Sequence, residues 1–176
     1  ARAASDENKL VYGVIKANAN MADGNALFSA PHGNLADAAA FGATPIAAMV
    51  KSLRAMKSIN GMQLNLQPAY LVVGPDLEVA ARTLLTAVNA TKTSDVNPWA
   101  GFAELVVDAN LGATEYYIFA SPQAAPSIIW GYVGGEEGPQ VRTEIEFDTL
   151  STKVAATLSF AYGAIDSKGV IKNAGA

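Results

Sequence analysis

Hydrophobic positions change their spacing part-way along this chain. Up to about residue 90 most recur every three or four residues, the period of a helix face; from residue 102 they form short blocks or alternate with polar residues, the period of a strand. A first helix is predicted over residues 2–18, with Leu10, Val11, Val14 and Ile15 on one side and Asp6, Glu7, Lys9 and Lys16 away from it. Gly13 inside it costs about 1 kcal/mol relative to alanine, so this helix depends on what it packs against. The second helix is signposted more fully. Thr44 is expected to cap it, Pro45 suits its first turn, and Asn60-Gly61 is expected to end it. Ile46, Met49, Val50, Leu53 and Met56 form its buried stripe, flanked by a basic ridge of Lys51, Arg54 and Lys57 that reads as a solvated face. "AYLVVG" then predicts a buried strand. "PDLEVAARTLLTAVN" predicts a helix opened by Pro75, with Asp76 and Glu78 at its positive end and Leu77, Ala81, Leu84, Leu85 and Val88 facing the core.

Between the first two helices, "NANMADGNALFSAPHGNLADAAAFGA" reads as a long connection, with Gly33 and Asn34 making a turn beside His32, the only histidine. Such long connections in a compact domain usually carry a function or touch a neighbour. "TKTSDVNPWAG" reads as an exposed loop. Beyond it, "FAELVVD", "EYYIFA" and "SIIWGYV" predict strands. In two later runs, Val141, Thr143, Ile145 and Phe147 oppose Arg142, Glu144 and Glu146, and Val154, Ala156, Leu158, Phe160 and Tyr162 oppose Ala155, Thr157, Ser159 and Ala161. This alternation predicts antiparallel strands with one face on a core. Helices first and strands later make the fold class α+β.

Composition adds two constraints. Apolar residues are 51% of the chain and charged residues 16%, so it folds but leaves much weakly polar surface, which favours association. A net charge of −4 argues against a protein that clamps nucleic acid with a basic stripe. There is no cysteine, which removes disulfides and thiolate chemistry. No apolar run approaches the ~20 residues that span a bilayer, so no membrane partner is expected.

Candidate chemistry is sparse. Ser29 and His32 lie close together, as a nucleophile and base would, but no G-x-S-x-G elbow is present and proximity in sequence does not build a triad. A small hydrolase using Ser29 and His32 remains one alternative, although a structural loop histidine is the stronger reading. One histidine and no cysteine exclude the common zinc sets, and Glu136 and Glu137 in "GGEEGP" read as a solvated hairpin tip. No phosphate-binding loop occurs. Tyr116, Tyr117, Trp130 and Tyr132 lack nearby Lys or Arg and read as core and sheet packing rather than a base-stacking platform. A ligand-binding α+β module with an aromatic pocket near Trp130 and Tyr132 is a further alternative. No catalytic, cofactor-binding or metal-binding residue is assigned, and no cofactor is implied.

Several segments in order resemble one family. "LFSAPHGNLA" before a Thr-Pro-initiated helix resembles the major capsid proteins of tailed phages, especially Mu-like head subunits and the capsid halves of protease–capsid fusions. "LNLQPAYLVVGPDLEVAARTLL" resembles that family's strand-then-helix segment, and "NPWAGFAELVVDANL", "YYIFASPQAAPSI" and "GYVGGEEGPQVRTEIEFDTLSTKVAATLSFAYGAIDSKGVIKN" resemble its closing β region. The likeness spans nearly the whole chain, and no motif in it is catalytic.

The resemblance implies a Hong Kong 97-type capsid fold. Residues 1–40 would be the end of the spine helix and its connection in the peripheral lobe, 41–135 the axial lobe, and 136–176 returning strands of the peripheral lobe, all in one continuous unit. It also implies a non-enzymatic major capsid (head) subunit that associates with itself into hexamers and pentamers around double-stranded DNA, beside other phage head proteins. No specific nucleic-acid sequence would be read. The location would be the virion, and the bacterial host cytoplasm during assembly. The family's N-terminal arm and extended loop have no counterpart in these residues, and the chain opens at Ala1 as if inside a helix. A fragment truncated at its N-terminus is therefore expected, one that folds but stays a monomer or small oligomer.

Overall fold

The computed structural model describes residues 2–86, 98–135, 138–146, 148 and 151–176. The predicted positions Val88, Glu136, Glu137 and Phe147, most of the "TKTSDVNPWAG" loop, and the side chains of Asp6, Glu7 and Val11 lie outside the described residues. Among the described residues three α-helices, α1 (Arg2–Ala17), α2 (Ala43–Arg54) and α3 (Glu78–Leu85), join eight strands. These are β1 (Pro68–Val73), β2 (Glu104–Val107), β3 (Tyr116–Ala120), β4 (Ile128–Tyr132), β5 (Gln140–Glu146), β6 (Ser151–Thr157), β7 (Phe160–Ala164) and β8 (Val170–Asn173).

The centre is a four-stranded sheet in the order β2-β1-β3-β8. β1 runs parallel to β2, with α3 in the connection between them, and antiparallel to β3, which in turn runs antiparallel to β8. Strand residues point alternately to the two sides of a sheet, and here both sides are covered. On one side Leu71, Val73, Tyr116, Ile118 and Ile171 meet Ile46, Met49, Val50 and Leu53 of α2 and Ala81 of α3. On the other, Val72, Tyr117 and Val170 meet Ile15 of α1 together with Leu27 and Phe28 from the long connection. Near-continuous apolar strands such as "AYLVV" and "YYIFA" are what a sheet buried on both faces requires.

Several local expectations are corrected. Thr44 does not cap α2; it lies inside the first turn, and Gly42 is the cap position, with no side-chain bond to the helix end. The helix also stops at Arg54, before Asn60-Gly61. Met56 then pairs its backbone with Leu64 and Lys57 bridges Gln63, so Asn60-Gly61 turns a small hairpin in which Gly61 has φ +78°. A left-handed backbone of that kind suits glycine. In α1 the apolar side is narrower than predicted, because Leu10 is 44% exposed while Ile15 is buried.

The greater difference is in the later strands. The single alternating run from Val154 to Tyr162 is two strands, broken at Leu158–Ser159: β6 pairs with β5, and β7 pairs with β4. Each pair is a two-stranded ribbon. The alternation in β5 and β6 is present, but no core of the described residues lies beneath its apolar face. Val141, Ile145 and Val154 are 64%, 73% and 65% exposed. β8, a short apolar stretch after Gly169, has no counterpart among the strands predicted from spacing.

Candidate functional site

The long connection is organised around a buried asparagine. Asn34 is fully buried; its side-chain amide donates to the carbonyls of Leu27 (2.7 Å) and Ser167 (3.0 Å), while its Oδ1 accepts from the Ser29 N–H (3.1 Å). Its backbone carbonyl accepts from the Lys172 N–H, and the Ala36 N–H donates to the Lys172 carbonyl, so the connection lies along β8. Asn173 repeats the device from β8, donating to the Asp37 carbonyl and accepting from the N–H groups of Ala39 and Gly175. Asn18 closes the near end by bonding both backbone groups of Phe28. Buried backbone polar groups outside regular structure need partners, and three asparagines, each carrying a donor and an acceptor, supply them. Spacing marks Asn34 only as a turn residue. The turn belongs to Gly33, with φ +67°.

His32 belongs to the same network. Its Nδ1 lies 3.1 Å from the Leu27 carbonyl oxygen and its Nε2 lies 2.7 Å from Asp23 Oδ2. A carbonyl and a carboxylate only accept, so the imidazolium, which donates from both ring nitrogens, is the form that satisfies both contacts. Burial opposes that charge, but the bond to Asp23 and those to the Leu27 and Ala26 carbonyls outweigh it, and the pKa lies above its ordinary value. Asp23 is exposed, and bonds from Asn25 and His32 hold its carboxyl well below the usual range. Ser29 Oγ is buried without a hydrogen-bond partner among the described residues. Ser29 and His32 share one loop, but both ring nitrogens are engaged elsewhere and no nucleophile–base bond joins the two.

Tyr116 and Tyr117 are buried in the sheet, as expected. Trp130 is not; it is 59% exposed at one end of an aromatic row on the β4–β7 ribbon. Trp130 faces Tyr162 and Tyr132 faces Phe160 across the strands, and the rings of Tyr132 and Tyr162 each lie 5.7 Å from that of Phe160. A groove of about 280 Å³ opens beside it, lined by Tyr12, Ile15, Tyr70, Phe119, Pro126 and Trp130 among others. No charged side chain lines it, and Tyr132 is not part of it. Among the described residues no group of three or more His, Asp or Glu is placed to hold a metal ion. No described helix is long and apolar enough to cross a membrane.

Polar networks here fasten chain segments to one another, and the two ribbons carry much of the exposed apolar surface, with Ile59, Met62 and Val79 exposed elsewhere. Helices and sheet together make the class α+β. The chain belongs to the phage capsid protein family, which it matches over residues 1–173. A structural role in a capsid, as part of the virion, goes with that membership. No curated protein sequence matches it. Among solved structures, the virus-like particle from Pyrococcus furiosus is similar, with a TM-score of 0.45 and 11% identity over 96% of this chain and 60% of that one. This chain thus spans less than two thirds of the length of that particle's chain.

Proposed function

We propose that this chain is a major capsid (head) subunit of a tailed phage or prophage, with a Hong Kong 97-type fold, which associates with itself into hexamers and pentamers of a shell around double-stranded DNA. The family match over residues 1–173 carries the reading. Two features of the molecule support it. The ribbons expose Val141, Ile145, Val154, Ile129 and Trp130, apolar surface that a solitary protein would bury or break up. The net charge of −4 suits a container whose contents must leave again, since a basic lining would retain DNA by counterion release. Other head proteins, and assembly in the bacterial cytoplasm, belong to the same proposal. Within it, residues 41–135 correspond to an axial lobe, and 1–40 with 136–176 to a peripheral one.

Negative-stain microscopy of the product of the gene that encodes these residues tests this directly. Rings or closed shells of uniform diameter are expected. A protein that stays monomeric at high concentration would refute the proposal.

A further inference from the structure

β5 is half of a two-stranded ribbon, so one of its edges pairs with β6 and the other pairs with no strand among the described residues. Bare edges recruit other strands, and a lone two-stranded ribbon is marginal in water. The side chains along β5 are informative. Reading outward from Thr143, Arg142 stands on one side and Glu144 on the other, then Val141 and Ile145. Neither Arg142 nor Glu144 has an ion-pair partner among the described residues, whereas Glu146 is held by Lys153 at 2.8 Å. The pattern is self-complementary under reversal.

We propose that β5 pairs antiparallel with β5 of a second copy of this chain about a two-fold axis at Thr143, Arg142 of each copy facing Glu144 of the other. It rests on the self-association proposed above and names one contact within it. In this register Val141 faces the partner's Ile145, and Thr143 faces its own counterpart. Opposite charges directly across an antiparallel pair stabilise it, and like charges destabilise it. The neighbouring registers are worse on that ground. Moving the axis one residue back sets Arg142 against the partner's Arg142; moving it one residue forward sets Glu144 against the partner's Glu144 and leaves Arg142 facing only the partner's Glu146, a carboxylate that Lys153 already holds. The strand thus selects both its partner and its register. The product is a four-stranded sheet, β6-β5-β5-β6, and a contact using the same patch on both subunits is the commonest kind in symmetric assemblies. β6 offers no equivalent, because reversal about its central Val154 sets Lys153 against Ala155.

The absence of native cysteine makes the test clean. In Thr143→Cys the two sulfurs meet at the axis, where directly opposed Cα atoms lie ~4.5–5.5 Å apart, within disulfide reach. In Gln140→Cys residue 140 faces 146, which leaves the two cysteines ~20 Å apart. Under mild oxidation Thr143→Cys is expected to give a covalent dimer and Gln140→Cys to give none. By sedimentation, Glu144→Arg and Arg142→Glu should each weaken dimerisation about tenfold or more. Mixing these two variants should restore it. One copy then carries arginine at both positions 142 and 144 and the other carries glutamate at both, so both 142–144 pairs are again opposite in charge. If the wild type associates but Thr143→Cys cross-links no better than Gln140→Cys, or mixing restores nothing, the pairing is overturned while self-association stands. A whole gene product that stays monomeric, with no cross-link at residue 143, overturns both.

Discussion

Replacing Asn34 by alanine removes the hub of the long connection, and the cost follows from its three side-chain bonds. The amide serves the Leu27 carbonyl, the Ser167 carbonyl and the Ser29 N–H. Leu27 keeps the bond from His32 Nδ1, so two backbone groups are left bare. At ~1–3 kcal/mol for each buried group without a partner, the loss comes to about 2–6 kcal/mol. With a urea dependence of ~2 kcal/mol/M, the unfolding midpoint should fall by about 1–3 M at unchanged slope. Asn34→Asp should be no better, because it keeps the shape but turns an acceptor towards two carbonyls. Sharing of the Leu27 carbonyl gives a second readout. Adding His32→Ala to Asn34→Ala strips that oxygen entirely, so the pair should cost more than the sum of the singles, by ~0.5 kcal/mol or more. A midpoint shift below about 0.3 M for Asn34→Ala, or strict additivity with His32→Ala, would refute the hub.

Stability should also depend on pH through His32. Its pKa is raised on folding, so its contribution is complete below ~6.5, the unfolded value, and is lost as pH rises through the folded value. Denaturant unfolding between about pH 5 and 9 should show this decline for the wild type and a flatter profile for His32→Gln; parallel profiles would exclude it. Gly169, with φ +84°, lies against Ala125, where an added Cβ would meet the Ala125 Cβ at 2.7 Å and its carbonyl oxygen at 2.8 Å. Gly169→Ala should therefore destabilise by roughly 2 kcal/mol or more in the same assay, and a neutral result would mean that the turn before β8 relaxes freely.

Much of the interior is readable from spacing. Ile46, Met49, Val50 and Leu53 follow the helix period and all line one core, and the apolar block at residues 70–73 is a strand covered on both sides. What escapes has physical reasons. Alternation along Val141–Ile145 reports that a strand has two unlike faces, and says nothing about whether anything covers the apolar one. The break at Leu158–Ser159 leaves no trace, because Phe160 and Tyr162 continue in phase with Val154 and Ala156. β8 is only four residues, and its signal is Val170-Ile171 directly after a glycine. For the candidate site, the Gly-Asn pair suggests a turn. Asn34 is instead defined by Ser167, a partner 133 positions away that no local pattern encodes.

That separation also bears on how the chain is made. Asn34, Ala39 and Asp37 are satisfied by residues 133, 134 and 136 positions later, and β3 gains its second neighbour only when β8 arrives. Contacts so distant along the chain are slow to form, because a long loop must close before anything rewards it. On the ribosome, α1, α2 and the β1–β3 strands would wait as an open sheet until residues 170–173 had emerged. Both ribbons are synthesised before that moment. Their sticky edges are thus exposed on a chain whose interior is unfinished, and chaperone capture during synthesis would protect such a chain from pairing with its neighbours on the same message too early.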